Sequence, residues 1–133
     1  MNLRNITTAL IISASFGCAY HEGIYSPGCI AFTGDTISLR EGQFTWQKFT
    51  DVVIVDDDGE VINPYPGYPL QGGYRIDGQT VYMESDTGEV MAKMFLREHD
   101  RRHYLLTSEQ RDVAEETGYF DECALTLGGM SDN

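Results

Sequence analysis

The stretch YRIDGQTVYM, residues 74–83, decides the fold class. Apolar and polar residues alternate over 74–76 and again over 80–83, and the Asp77-Gly78 pair lies between the two runs. Alternation with a period of two is typical of a strand with one buried face, and an Asp-Gly pair suits a tight turn that needs a positive φ. The stretch therefore predicts an antiparallel β-hairpin.

The same pattern continues on both sides of this hairpin. Short apolar runs separated by turn residues occur over 30–32, 37–39, 44–47, 52–55, 91–96 and 103–106. Strands this close together, without helices between them, exclude a parallel α/β sheet. We therefore predict an all-β fold, a small antiparallel meander that closes into a barrel or sandwich of about eight strands.

Seven large side chains are the candidates for the interior of this fold, which either is filled by them or holds a void. They are Phe32, Leu39, Phe44, Trp46, Tyr82, Phe95 and Leu105. An eight-stranded barrel has an interior just wide enough for side chains or for one small ligand. A filled interior would leave the outer surface as the place for function.

One short helix follows the strands towards the C-terminus. Thr107 and Gln110 have the spacing of a capping box and Gly118 ends the pattern, so we predict a helix over about 108–117. Its few apolar residues place it on the surface of the sheet rather than in the core. Residues 124–127 are expected to return to the sheet as a last strand.

The composition allows one globular domain and excludes one class of partner. The chain has 133 residues, of which 41% are apolar and 23% charged, which is enough for one hydrophobic core. Nine basic and 21 acidic residues give a net charge of -12. This charge has the wrong sign for phosphate backbones, so we exclude nucleic-acid binding.

The N-terminus has the features of an export signal. Arg4 precedes an uncharged run over 6–16, which is too short for a membrane-spanning helix but has the length of a signal-peptide core. The sequence SFGC at 15–18 resembles the lipobox of bacterial lipoproteins, in which a small residue precedes an acylated cysteine. The resemblance implies a signal peptide over 1–17 and lipidation at Cys18.

The lipobox reading gives the mature chain an N-terminal tether over 18–28. It implies an exported protein that is periplasmic or anchored to the outer membrane of a bacterium, with acyl chains as its contact with the membrane. The alternative is ordinary signal cleavage after Ala19, which leaves a soluble exported protein with a free N-terminus at Tyr20.

The chain contains three cysteines, Cys18, Cys29 and Cys123, an odd number for an oxidising compartment. Both processing routes remove Cys18 from the thiol count, because acylation consumes it and cleavage one residue later discards it. We therefore expect a disulfide between Cys29 and Cys123, and the alternative is two unpaired buried cysteines. The pair brackets a β-barrel-like domain over 29–127, which a flexible tail over 128–133 follows.

Two segments carry a resemblance to a second known family. Residues 73–81 and 102–106 are similar to the closing strands of the lipocalin-like domains found in small bacterial lipoproteins. The resemblance implies a closed barrel, and it implies no catalytic residues.

Two clusters of titratable residues contain metal-binding groups. Residues 56–60 supply carboxylates, but Ile54 lies where a calcium loop requires its first carboxylate, so we predict an acidic hairpin tip. His99 and His103 are four residues apart, a spacing that binds zinc on a helix but not on a hairpin. We therefore predict a solvated loop with local ion pairs and no metal, with the two histidines as alternative metal ligands.

Residues 63–69, with the sequence NPYPGYP, form the segment best suited to recognition. Three prolines stiffen the backbone, and Tyr65 and Tyr68 offer flat amphipathic rings. We expect these tyrosines to contact a ligand or partner, with the loop covering the mouth of a barrel. The alternative is a rigid connection whose tyrosines pack back onto the domain.

The sequence contains no nucleophile elbow, zinc-protease motif or phosphate-binding loop, so we expect no catalysis and no cofactor. The expected function is a non-catalytic lipoprotein of the cell envelope that acts as a binding or structural module for a protein partner or a small apolar ligand. One alternative is a secreted lipocalin-like carrier or inhibitor without a lipid anchor. The other is a metal-binding protein or enzyme that uses His99 and His103.

Overall fold

The computed structural model describes residues 21–128 of the chain. The strands are β1 (Gly23–Pro27), β2 (Thr33–Arg40), β3 (Gln43–Thr50), β4 (Leu70–Asp77), β5 (Thr80–Glu84), β6 (Val90–His99), β7 (Arg102–Leu106) and β8 (Leu125–Leu127), and the helix is α1 (Ser108–Thr117). The predicted signal peptide, the lipidation at Cys18 and the tail from 129 onwards lie outside the described residues, so they stay predictions.

The eight strands form a closed antiparallel barrel. Each strand pairs with the next one in the sequence, and β8 pairs back with β1, where Tyr25 lies opposite Leu127. The predicted all-β meander is therefore confirmed, and it closes as a barrel rather than a sandwich. Closure pairs both edges of each strand in the barrel wall.

The barrel has two distinct ends because its strands alternate in direction. We call one of them the mouth end. The odd-numbered strands finish there and the even-numbered strands begin there. At the other end, which we call the N-terminal end, β1 begins at Gly23 and two-residue turns join β2 to β3, β4 to β5 and β6 to β7. The longer connections, including residues 51–69 between β3 and β4, lie at the mouth end.

The first strand corrects the predicted domain boundary. We expected a tether over 18–28, but Gly23–Pro27 forms β1, in which Tyr25 is fully buried and lies opposite Ile37. The prediction missed this strand because it is only five residues long and has glycine and proline at its ends. The folded domain therefore begins at Gly23 and not at Cys29.

Alternation along the strands directs one set of side chains into the barrel. The buried interior cluster consists of Tyr25, Ile37, Leu39, Phe44, Val81, Met83, Met94, Leu96 and Leu105. Leu39, Phe44 and Leu105 thus lie where the sequence predicted them. Trp46 also faces inwards, half-buried against this cluster.

Three of the predicted interior residues lie elsewhere. Phe32 is 74% exposed in the loop between β1 and β2. Tyr82 is on the outer face of β5, where the guanidinium carbon of Arg75 lies 4.1 Å from the centre of its ring. Phe95 also faces outwards, because its two neighbours in β6 point into the interior. For Tyr82 and Phe95 the prediction chose the wrong face of the strand, which is an error of one residue in the alternation.

The helix α1 forms over the predicted residues and packs on the outer wall. Thr107 Oγ1 accepts a hydrogen bond from the Gln110 backbone N–H, and Gln110 Oε1 accepts one from the Thr107 backbone N–H, so the capping box is confirmed. The helix covers a second buried cluster, which consists of Phe95, Tyr104, Leu106, Ala114 and Ala124. Ala114 is the buried residue of the helix itself, as expected for a polar surface helix.

Cys29 and Cys123 form a disulfide, which confirms the predicted pairing. Their Cα atoms are 4.8 Å apart, although 94 positions separate them in the sequence. Next to the bridge, the Gly28 N–H donates a hydrogen bond to the Ala124 carbonyl at 3.0 Å. The disulfide therefore joins the loop after β1 to the segment before β8, beside the strand pair that closes the barrel.

Residues 52–55, predicted as a strand of the sheet, lie outside the barrel. They form a small hairpin with 61–62, joined at an isolated bridge between Val55 and Val61. A run of four apolar residues has no alternation, so the sequence pattern alone does not distinguish a buried strand from an exposed hairpin. We call residues 51–63 the arm.

Candidate functional site

Side chains fill the middle of the barrel in the part of the chain that the structure describes. Tyr25, Ile37, Leu39, Val81 and Leu105 are each fully buried there. Protein interiors packed in this way are as dense as crystals of small organic molecules. The described surfaces that can bind a partner or ligand are therefore the ends and the outside of the barrel.

A cavity of about 310 Å³, which we call the mouth cavity, lies at the mouth end. Its lining includes the apolar side chains of Trp46, Met94 and Leu125 and the polar side chains of Asp35 and Gln110. Small-molecule sites usually have about 300 to 1,000 Å³, so this cavity is at the lower limit. It has room for one small and largely apolar molecule.

Trp46 carries an unsatisfied hydrogen-bond donor. Its side chain lines the mouth cavity, and its indole Nε1 is buried with no hydrogen-bond partner among residues 21–128. A buried N–H group without a partner costs about 1 to 3 kcal/mol. A ligand that accepts a hydrogen bond from Nε1 would remove this cost, so Trp46 is a candidate ligand contact.

An ion pair and two tyrosines lie at another part of the rim. Lys48 follows Trp46 on the inner face of β3, and its Nζ lies 3.1 Å from Asp35 Oδ1 on β2. The centres of the Tyr65 and Tyr68 rings lie 6.0 and 5.2 Å from the same Nζ. The hydrogen bond to Asp35 raises the pKa of Lys48 above its ordinary value, so the ammonium group remains charged.

The tyrosine loop thus packs back onto the barrel. Tyr65 and Tyr68 are half-buried, as in the alternative that we gave for this segment. The loop also turns on itself, because the Tyr65 N–H donates to Asn63 Oδ1 at 2.9 Å and the Tyr68 N–H to the Tyr65 carbonyl at 3.2 Å. Its place beside the rim agrees with the expected location, and ligand contact by these tyrosines stays a prediction.

The arm projects from the mouth end into solvent. All of its residues are exposed. Six of them have large apolar side chains that are 41 to 72% exposed: Val52, Val53, Ile54, Val55, Val61 and Ile62. Contiguous apolar surface of this kind is typical of interaction sites.

The tip of the arm is the acidic hairpin turn that the sequence predicted. Asp56 Oδ1 accepts hydrogen bonds from the backbone N–H groups of Asp58 and Glu60, each at 2.9 Å. Gly59 takes a φ of 84°, which a residue with a side chain rarely adopts. The tip therefore has a fixed shape, with its carboxylates exposed around the turn.

The structure does not bring the two predicted metal ligands together. His103 faces inwards and its Nδ1 lies 3.8 Å from Glu98 Oε2, whereas His99 faces outwards and stacks on Phe120 with ring centres 4.3 Å apart. Histidines on opposite faces of a hairpin point away from each other, which does not favour a shared ion. Within residues 21–128 there is no group of three side chains placed to hold a metal.

A smaller cavity of about 250 Å³ lies at the N-terminal end. His21, Glu98 and His103 are among the residues that line it. Burial, followed by the charge of His103, lowers the pKa of His21, so its imidazole is neutral at pH 7. The cavity is smaller and more polar than the mouth cavity, so the mouth end is the better candidate site.

The comparisons with known proteins return no match. No family model, no curated protein and no solved structure matches the chain. None of the helices in the described range 21–128 is long and apolar enough to cross a membrane. The function is therefore inferred from the site itself.

Proposed function

We propose that this chain is a non-catalytic lipoprotein of the cell envelope that binds a protein partner through the mouth end of its barrel. The observation that carries the proposal is the arm, whose six large apolar side chains are exposed to solvent. Monomeric soluble proteins rarely expose contiguous apolar patches larger than a few hundred Å², and such patches mark interaction sites. The filled interior supports a surface function over transport of a ligand inside the barrel.

The position of the N-terminus supports this arrangement. β1 begins at Gly23 at the N-terminal end, whereas the arm leaves β3 at the mouth end. Gly23 lies only five positions after Cys18, and a chain of five residues spans at most about 18 Å. A lipid at Cys18 would hold the N-terminal end near the membrane and direct the arm away from it.

The charge and the disulfide agree with the proposed location. Without the signal peptide the chain has eight basic and 21 acidic residues, a net charge of -13, which anionic lipid headgroups repel. Attachment would therefore depend on the acyl chains alone. The disulfide between Cys29 and Cys123 is compatible with an oxidising compartment outside the cytoplasm.

The substitution Cys18→Ser tests the anchor in a bacterial host. Ser13→Ala is the matched control, because it changes the leader outside the SFGC motif and keeps the cysteine. We expect C18S in the soluble fraction and S13A in the membrane fraction, and we expect the unsubstituted protein to have a diacylated or triacylated N-terminus by intact mass. A C18S protein that stays in the membrane fraction contradicts the proposal, and a free N-terminus at Tyr20 supports the secreted carrier or inhibitor instead.

The mouth cavity supports a second candidate function, the binding of a small apolar ligand. The chain has a single tryptophan, Trp46, so its fluorescence reports directly on this cavity. We expect the neutral dye N-phenyl-1-naphthylamine to quench that fluorescence in a saturable way. Ala31→Phe, which fills the lining, should abolish quenching, and Glu116→Phe on the exposed side of α1 should not. Quenching that A31F leaves unchanged would exclude the cavity.

The metal-dependent alternative rests on His99 and His103. Their positions on opposite faces of the β6–β7 hairpin do not favour a shared ion. Elemental analysis of the purified protein, with unfolding measured in the presence and absence of chelator, tests it. A bound metal that both His99→Ala and His103→Ala remove would support this alternative over the binding module.

A further inference from the structure

We infer that the arm docks a protein whose surface presents an apolar strip flanked by lysine or arginine side chains. This inference deepens the proposed function, on which it rests for the presence of a protein partner, and it does not depend on the lipid anchor.

The arm has a preformed backbone. The Ile62 N–H donates a hydrogen bond to the Ile54 carbonyl at 2.8 Å, on one side of the bridge between Val55 and Val61. On the other side, the Asp56 N–H donates to the Glu60 carbonyl and closes the turn. In an antiparallel pair flanked by hydrogen bonds in this way, Val55 and Val61 have their side chains on one face and Ile54 and Ile62 on the other. A partner therefore meets an ordered surface and not a flexible loop.

One face of the arm is more exposed than the other. The side chains of Val55 and Val61 are 53 and 72% exposed, whereas those of Ile54 and Ile62 on the opposite face are 44 and 41% exposed. Val52 and Val53, which precede the paired residues, are 60 and 72% exposed. The face of Val55 and Val61 is therefore the one that a partner would cover.

Other exposed apolar side chains lie in the loop that is hydrogen-bonded to the base of the arm. The Asp51 N–H at the base of the arm donates to the Phe32 carbonyl at 2.7 Å, which ties the arm to the loop after β1. In that loop Phe32 is 74% and Ile30 83% exposed, and Ile30 lines an apolar groove of about 630 Å³ together with Phe49. An apolar surface that extends over two segments and a groove suits a protein partner better than a small molecule.

The charge of the arm defines the partner further. Residues 51–63 contain five acidic and no basic residues, and four of the acidic residues lie in the tip at 56–60. Two other occupants fit this charge poorly. Two copies of the chain would bring like charges together, and insertion into a bilayer would lead with four carboxylates. Lysine or arginine side chains beside an apolar strip complement the arm.

Two synthetic peptides of nine residues serve as probes of this chemistry. One alternates valine and lysine and the other alternates valine and glutamate, so they share apolar content and differ in charge. Each carries a fluorescent label, and anisotropy measures its binding to the full chain with C18S. We expect the lysine peptide to bind at least about tenfold more tightly than the glutamate peptide, and a rise in salt from 50 to 500 mM to weaken it about tenfold.

Variants separate the apolar from the charged contribution. Val53→Ser with Val61→Ser should weaken binding of the lysine peptide at least about tenfold, because these are the two most exposed of the six large apolar side chains of the arm. Asp57→Asn, Asp58→Asn and Glu60→Gln together should remove the preference for lysine. All of these residues are exposed and outside the barrel, and circular dichroism checks that the variants fold.

The matched control removes three carboxylates elsewhere. Asp77→Asn, Glu116→Gln and Glu122→Gln change the net charge by the same amount at exposed positions outside the arm. We expect this control to change affinity less than about twofold. Equal losses in the control and the arm variant would show general attraction by an acidic protein and overturn the inference.

Three other results would also overturn it. One is an affinity that the two valine substitutions leave unchanged. The second is a dimer of the unsubstituted chain in sedimentation that the same substitutions dissociate, which makes a second copy the occupant. The third is flotation with phosphatidylglycerol vesicles that depends on the arm, which makes it a membrane contact. None of these outcomes affects where C18S fractionates, so the anchor and the arm fail separately.

Discussion

Replacing both bridged cysteines, Cys29→Ser with Cys123→Ser, tests how the barrel is held closed. The disulfide spans 94 positions, and on the chain-entropy model a loop of this length stabilises the folded state by about 4.7 kcal/mol at 25 °C. The whole free energy of unfolding of a small domain is about 5 to 15 kcal/mol. We therefore expect the double variant to lose about a third or more of its stability.

The measurement is urea unfolding followed by the fluorescence of Trp46, the single tryptophan of the chain. With a slope of about 2 kcal/mol per molar urea, the expected loss lowers the midpoint by roughly 2 M. The unsubstituted chain in reducing buffer is the matched control and should unfold at the same midpoint as the variant. The serines themselves should add little, because Cys123 is exposed and Cys29 only half-buried.

Two results would refute this reasoning. A loss below about 1 kcal/mol would mean that the cross-link does not restrict the unfolded chain as the entropy model requires. Peptide mapping under non-reducing conditions that finds Cys29 and Cys123 both unbridged would remove the premise itself. It would also remove the support that the disulfide gives to export.

Three further predictions concern single residues of the barrel. Trp46→Phe removes the unpartnered Nε1 donor, so it should lower the free energy of unfolding, measured by thermal unfolding, by less than about 1 kcal/mol. A decrease above about 3 kcal/mol would contradict an unsatisfied donor at Nε1. Gly72→Ala drives its Cβ into the Glu84 carbonyl oxygen, so it should lower the free energy of unfolding by at least about 3 kcal/mol in the same urea assay. Gly73→Ala, whose Cβ has its nearest contact at 3.6 Å, should lower it by less than about 1 kcal/mol. Equal losses of stability in the two variants would count against the packing at Gly72. Burial raises the pKa of Tyr25 from 10.0 to about 12, so the folded state keeps a proton that the unfolded state loses. The contribution of Tyr25 to the free energy of unfolding is complete below pH 10 and falls by about 1.4 kcal/mol per pH unit between pH 10 and 12. Tyr25→Phe should flatten this decline in stability. An unchanged slope in the variant would argue against the raised pKa.

The sequence was sufficient to predict the fold because the alternation of apolar and polar residues is clear in most of the strands and turn residues separate them. The hairpin at 74–83 forms with Asp77 opposite Thr80, and α1 has the predicted capping box. The errors occurred where the alternation is ambiguous. A shift of one residue moved Tyr82 and Phe95 to the wrong face, and β1 was too short to show a period.

The candidate site could be predicted only in part. The tyrosine loop packs back onto the rim of the mouth, as in the alternative that its prolines and turn residues suggested, because those residues are local signals of a rigid connection. The exposure of Val52–Val55 and the missing partner of Trp46 Nε1 are not local, since both depend on what distant segments place nearby. The one sequence signal for the arm was an apolar run beside an acidic turn, with Val61 and Ile62 beyond it.

The disulfide also determines what happens when the arm is cut. Residues 51–63 are all exposed, so a protease would meet them before the paired strands. Any nick there leaves Cys29 on one fragment and Cys123 on the other. The two pieces remain covalently joined, so the protein can lose its most accessible segment to proteolysis without falling into halves.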